Sequence, residues 1–199
     1  MSAQIRLLLV LLTLVCINQS AYAQACTTLG QTPSTAFPVC GTNVFTQNSV
    51  PLCATNSLFV PGCSSGSANY ENRNPFFYRF TCFVSGTLGF VITPSAANED
   101  YDWQLYDITG RDPNDIFTVT SLVVTGNWAG TYGPTGASAT GVNGIQCGSD
   151  PAANAPTFSA MPGLIQGREY LLMVSHFTNT QSGYTLAFNG GTAVITDPT

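Results

Sequence analysis

The densest run of ligating side chains in this sequence is Asn98-Glu99-Asp100, with Asp102 one residue beyond. Carboxylates and amide oxygens of this kind are hard donors that suit Ca2+, which tolerates irregular loop geometry. Glu71 and Asn72 precede the first strongly apolar alternating segment and are placed to approach the same sheet end. Carboxylates this close repel one another unless a cation, a proton or solvent intervenes. The expected metal set is therefore Glu71, Asn72, Asn98, Glu99, Asp100 and Asp102. The same residues also suit a solvated loop in which Asp102 or Asn98 caps a turn, and their spacing is not that of an EF-hand.

Other reactive residue types are sparse. Asp107, Asp112 and Asp115 lie in DITGRDPND, a turn-forming sequence in which Arg111 can pair locally. His176 is the single histidine. A hydrolase would need it beside a serine, Ser175 or Ser182, and an acid, yet the chain has neither a G-x-S-x-G elbow nor an H-E-x-x-H zinc motif. A non-enzymatic chain is the expectation. Trp128 and Tyr132 sit in GNWAGTY among residues too small to bury them easily. They read either as a ligand-binding pair that stacks on a sugar or docks a partner, or as anchors pinning a long loop.

Cysteine usage and charge bound the setting. Arg6, the apolar run Leu7–Ile17 and Ala21-Tyr22-Ala23 have the order of a secretory signal peptide, with cleavage expected after Ala23. The run is too short to span a membrane. Residues 24–199 then carry four arginines, no lysine and ten acids, a formal charge of −6. Such a surface is poorly matched to nucleic acid or an anionic membrane. It fits calcium, uncharged glycans or protein surfaces outside the cell. Cys26, Cys40, Cys53, Cys63, Cys82 and Cys147 remain, an even number that argues for disulfides in an exported chain. Six cysteines allow fifteen connectivities, of which Cys26–Cys40, Cys53–Cys63 and Cys82–Cys147 is the preferred expectation.

These residues must be positioned by strands, for no stretch has sustained helical periodicity. Residues 24–68 read as a disulfide-stapled irregular lobe broken by Pro33, Pro38, Pro51 and Pro61, with short strands at Asn43–Thr46 and Leu58–Val60. Residues 69–195 read as a β-sandwich, and 196–199 as the start of a linker. Asn74-Pro75 sets an extended approach to Phe76–Phe83, where Phe76, Tyr78, Phe80 and Cys82 share a core face and Arg79 and Thr81 a wetter one. Thr87–Thr93, Asp102–Ile108, Ile116–Val124, Glu169–His176 and Tyr184–Phe188 follow, with a short strand at Ala193–Ile195. In Asp102–Ile108 the core face is Trp103 and Leu105. Short strands between Gly/Pro turns give an all-β, jelly-roll-like sandwich.

NPFFYRFTCFVSGTLGFVITP, EDYDWQLYDITG, FSAMPGLIQGREYLLMVSHFT and QSGYTLAFNGG resemble an amino-terminal extracellular module of large gliding-motility-associated surface proteins of the Bacteroidetes. That resemblance implies further domains in a larger surface protein and no activity. The pattern Y-x-F…G-x-L…DYDWQLYD…G-Y-T-L more distantly resembles the bacterial pre-peptidase C-terminal domain, a jelly roll related to collagen-binding modules. This second resemblance implies calcium ligands at Glu71, Asn72, Asp100 and Asp102, with Glu99 beside them. Together these readings give a secreted or cell-surface module for adhesion or architecture, with a carbohydrate-binding accessory module of an exported hydrolase as the alternative.

Overall fold

A computed structural model describes residues 26, 28–40, 44–53, 56–63, 70–148, 154–178 and 180–196. The expected signal segment and its cleavage site lie outside the described residues. In chain order the strands are β1 (Phe37–Pro38), β2 (Val44–Ser49), β3 (Phe76–Thr81), β4 (Gly86–Thr87), β5 (Phe90–Pro94) and β6 (Tyr101–Asp107). They continue with β7 (Val123–Asn127), β8 (Thr135–Ser138), β9 (Phe158–Ala160), β10 (Gly163–Leu164), β11 (Glu169–His176) and β12 (Ser182–Phe188).

Two five-stranded mixed sheets result. The first has the order β1-β3-β11-β6-β7 and the second β2-β12-β5-β8-β9, while β4 and β10 form a separate ribbon. Only β1–β3 and β8–β9 pair in parallel. The sheets are open, and no jelly-roll closure joins them among the described pairings. β1 and β2 show that part of the expected lobe enters both sheets as outermost strands.

The period-two pattern acts as anticipated on the inner faces. Tyr78, Phe80, Trp103, Leu105 and Leu172 from the first sheet meet Phe45, Phe90, Ile92, Tyr184 and Leu186 from the second in one buried cluster. Burying each such side chain contributes roughly 1.5–3 kcal/mol. Across this core the Tyr78 and Tyr184 hydroxyls are 2.9 Å apart. Tyr184→Phe is expected to cost about 1 kcal/mol, the net worth of one buried hydrogen bond. Urea unfolding would show it as a lower midpoint with an unchanged slope.

The outer face of the first sheet differs from the expected wet surface. Phe77, Tyr106, Leu171 and Met173 are buried there beneath Val60, Ile116, Leu122 and Trp128. β6 and β11 are therefore covered on both faces, which suits the continuous apolar run Tyr170–Val174 of β11. Part of that cover comes from Ile116–Val124, which forms 3-10 turns at Pro113–Phe117 and Thr120–Leu122 before β7 instead of one strand. Asp112 explains the first turn, since its carboxylate accepts from Asn114 N at 2.8 Å and Pro113 presets the helical φ. Asn74 is also not extended: it has φ 41°, and its Oδ1 accepts from Cys53 N at 3.0 Å. Leu58–Val60 is not a strand; an isolated bridge, Ser57–Glu71, stands beside it. Near the C-terminal end, Val194 likewise makes only a bridge, to Val84.

The cysteine pairing departs from the expected one. Cys26 is bonded to Cys53 and Cys63 to Cys147, while Cys40 and Cys82 are unpaired. Cys82 belongs to the inner core, whereas Cys63 packs against the outer cluster, so a Cys82–Cys147 bridge would have to pass through a sheet. Cys26–Cys40 fails because the chain between them runs along β3. Gly30 O accepts from Phe77 N at the beginning of that strand, and Val39 N donates to Arg79 O near its far end. Cys53–Cys63 fails because each has another partner.

Candidate functional site

Four segments converge at one end of the first sheet. β11 pairs with β6 so that Ser175 stands opposite Asp102 and His176 opposite Tyr101. Beyond this register Phe177 N donates to Asp100 O at 3.0 Å, and Asp100 N donates to Thr178 Oγ1 at 2.8 Å. The segment around Glu71 and Asn72 lies along the other edge of β11. His176 N and the Ser175 hydroxyl both donate to Arg73 O, at 2.9 and 3.0 Å. Gly133 N donates to Glu99 O at 3.2 Å, which brings in the loop carrying Tyr132. Glu71 and Asn72 thus reach the same sheet end as the acid run, with β11 between them.

Strand alternation sorts the side chains into two patches. On the inner side Glu99 Oε2 lies 2.7 Å from His176 Nε2, and Thr180 Oγ1 donates to Glu99 Oε1 at 2.7 Å. The Tyr101 ring stacks on the imidazole at 4.5 Å between centroids and 20° between planes. Glu99 and His176 are both buried. Burial opposes charge on Glu99, yet the hydrogen bonds from Thr180 and His176 outweigh it and hold the carboxyl below its ordinary range. Glu99 is therefore an ion already satisfied by protein.

The other patch is unsatisfied. Asp100 and Asp102 are 3% and 5% exposed, and Oδ1 of each is buried without a hydrogen-bond partner. Burial pushes Asp100 up to about 7. Asp102 is raised well above its ordinary value, first by burial and then by repulsion from Asp100. Buried carboxylates without donors are costly as anions. They need a shared proton or a cation.

The six residues expected to bind metal do not form one cage. Asn98 is exposed, and Glu71 Oε2 sits 3.7 Å from Arg73 Nε. Asn72 is buried with its Oδ1 accepting from Asn56 N. Asp100 and Asp102 alone among the six offer buried, uncommitted carboxylate oxygens. Among the described residues no group of three or more His, Cys, Asp or Glu is arranged to hold a metal. Carbonyl and water oxygens would have to complete a calcium shell, as that ion's chemistry allows. Thr178, Thr180 and Tyr101 were missing from the sequence reading of this corner. Only Tyr101 carried a signal, its alternation with Trp103.

Ser175 and His176 do not form the serine–histidine pair of a hydrolase. Ser175 and His176 are neighbours on one strand and point to opposite faces, and the Ser175 hydroxyl is given to Arg73 O. Trp128 does not form an exposed pair with Tyr132. Its Nε1 donates to Gln104 Oε1 at 2.9 Å, and its ring meets Tyr70 edge-on at 5.4 Å inside the outer cluster. Tyr132 is 49% exposed. A different aromatic reaches the surface at this end: Phe177, with the Arg73 guanidinium 4.4 Å above its ring. Among the described residues no helix is long and apolar enough to cross a membrane. Comparison of the chain with protein-family models, with curated proteins and with solved structures returns no match.

Proposed function

We propose that this chain is a non-enzymatic, exported β-sandwich module serving adhesion or surface architecture, stabilised by calcium at the Asp100–Asp102 corner. The single observation that supports the cation is the pair of buried carboxylates with one unpartnered oxygen each. When bound, the ion supplies the positive charge those carboxylates lack. Asp100 and Asp102 would hold it, while the Glu99–His176–Thr180 set fixes the neighbouring backbone. Disulfides across an all-β fold and a lysine-free acidic composition support an extracellular setting. On this reading the chain is the amino-terminal module of a larger surface protein of the Bacteroidetes gliding-motility-associated kind, and its partners are further domains and a protein or glycan ligand.

The test is thermal unfolding of the oxidised chain in calcium and in chelator. A ligand that binds only the native state stabilises by RT ln(1 + [L]/Kd), so calcium should raise the unfolding temperature in a concentration-dependent way. A temperature indifferent to chelation removes the cation from the proposal. A carbohydrate-binding accessory role is the second reading, supported by exposed Tyr132 and Phe177 beside the same corner. Glycan-array binding abolished by Tyr132→Ala is the expected result under it; silence across plant, algal and host glycans counts against it.

A further inference from the structure

The apolar outer face of the first sheet is roofed in part by two segments that are strands of neither sheet. Residues 56–63 bring Val60, Leu58 and Cys63 onto the cluster of Phe77, Tyr106, Leu171 and Met173. Residues 142–148 run between β9 and β7, through bridges from Val142 to Ser159 and from Gln146 to Asn127, and add Ile145. Cys63 and Cys147 join the two segments at a sequence separation of 84. We propose that this disulfide is a releasable clasp, whose reduction by an external dithiol frees residues 59–63 and uncovers the outer face while the inner core stays folded.

The two ends of residues 56–63 are held differently. At the start, the Ser57–Glu71 bridge is backed by Asn72 N donating to Asn56 O at 3.1 Å and Leu58 N donating to Tyr70 O at 2.9 Å. Just ahead of it Cys53 N donates to Asn74 Oδ1, and Cys53 is bonded to Cys26. This end stays fastened when the clasp opens. Beyond Leu58, one hydrogen bond among the described residues ties the segment to the sheet, from Gln104 Nε2 to Phe59 O at 3.0 Å. Val60 is buried, but the Phe59 side chain is half exposed, and the Cys63 amide turns back onto Val60 O at 3.2 Å. On the opposite side Cys147 is kept in place by its neighbours. Trp128 N donates to Gln146 O at 3.0 Å and Gly130 N to Gly148 O at 2.9 Å. The movable part is therefore residues 59–63, and the sulfur bridge is what holds their far end.

Access selects the same bond. Cys147 is exposed, whereas Cys26 and Cys53 are both half-buried, so an external thiolate meets Cys147 Sγ first. Attack there forms a mixed disulfide with the reductant and expels the Cys63 thiolate, which takes up a proton. The reductant's second thiol loses its proton, displaces the Cys147 thiolate and closes the reductant's own disulfide. Two electrons and two protons pass to the protein, which is left with two thiols.

The test titrates oxidised residues 24–199 with dithiothreitol, traps new thiols by alkylation and maps them by peptide. Cys63 and Cys147 are expected to be labelled at reductant concentrations that leave Cys26–Cys53 intact. At that point amide protection at Cys63 should be lost, while the amides of β3, β6 and β11 stay protected. Binding of anilinonaphthalene sulfonate should rise, and Trp128 emission should shift to the red as Val60 and Leu58 leave its cluster. Trp103 lies in the inner core and should keep its emission. The double variant Cys63→Ser/Cys147→Ser should give these signals without reductant and no further change with it. No step uses Asp100 or Asp102, so the result should be the same in calcium and in chelator. Earlier reduction of Cys26–Cys53, a reduced clasp with unchanged exchange and dye binding, or loss of the whole sandwich in the same step overturns the proposal.

Discussion

In calcium-free buffer at pH 8, Asp102→Asn is expected to unfold at a higher temperature than the native chain. Asp100 titrates near 7 in the folded protein against 3.8 ordinarily, and Asp102 is raised further, by burial and then by its neighbour's charge. For an acid whose folded pKa is raised, the native state binds more protons than the unfolded one. The stabilising protonation is complete below about pH 4 and is lost as pH rises through the folded value. Stability in chelator should therefore fall as pH rises from about 4 to 8. Asparagine at position 102 removes the Asp102 carboxyl and its repulsion by Asp100, so the chelated variant should show a flatter pH dependence, with the part due to burial of Asp100 remaining. Calcium inverts the order. At a hundredfold excess over Kd it adds about 2.7 kcal/mol to the native chain, or about 5–10 °C for a domain of this size, and nothing to Asp102→Asn. Equal unfolding temperatures for the two proteins in chelator, with no calcium response in either, would remove this corner from the account.

Trp128→Ala is expected to cost about 3–5 kcal/mol, the usual penalty for truncating a buried aromatic. The ring fills the outer cluster, and its loss leaves Gln104 Oε1 without the indole donor. Tyr132→Ala, four residues on and half exposed, should change stability by less than about 0.5 kcal/mol. Chemical unfolding of both variants, read with glycan-array binding, separates a packing role from recognition. If Trp128→Ala unfolds at the native midpoint while glycan binding is lost, the assignment of Trp128 to the interior fails.

The sandwich was legible where side chains alternate and opaque where cover comes from elsewhere. Phe76–Thr81, Tyr101–Asp107, Glu169–His176 and Ser182–Phe188 match the anticipated strands closely because one face had to find a core. β8 and β9 carried no pattern strong enough to read, being short and built from Thr, Gly, Ala and Ser around one Phe. The burial of Phe77 and Trp128 depends on Val60, Ile116 and Leu122, distant segments that no local period can announce. At the corner, the sequence brought Glu71, Asn72 and the acids to one sheet end. Which carboxylate became satisfied was decided by Thr180 and His176 arriving from β11 and the loop after it. That division is a matter of which face of a strand each residue occupies, and it left Glu99 hydrogen-bonded and one carboxylate oxygen each of Asp100 and Asp102 bare.

β1 and β2 are each the outermost strand of a sheet, β1 beside β3 and β2 beside β12, with the Phe37 and Phe45 rings 5.6 Å apart between them. They act as a selvedge. A protein clipped ahead of Phe76 would present two raw rows of amide and carbonyl groups, which neighbouring copies could knit onto. Shortened forms should therefore clump into strand-rich aggregates, detectable by light scattering and thioflavin fluorescence, while the unclipped chain of residues 24–199 stays dispersed. Proteolytic trimming at this end would then convert a non-associating sandwich into a self-adhering one.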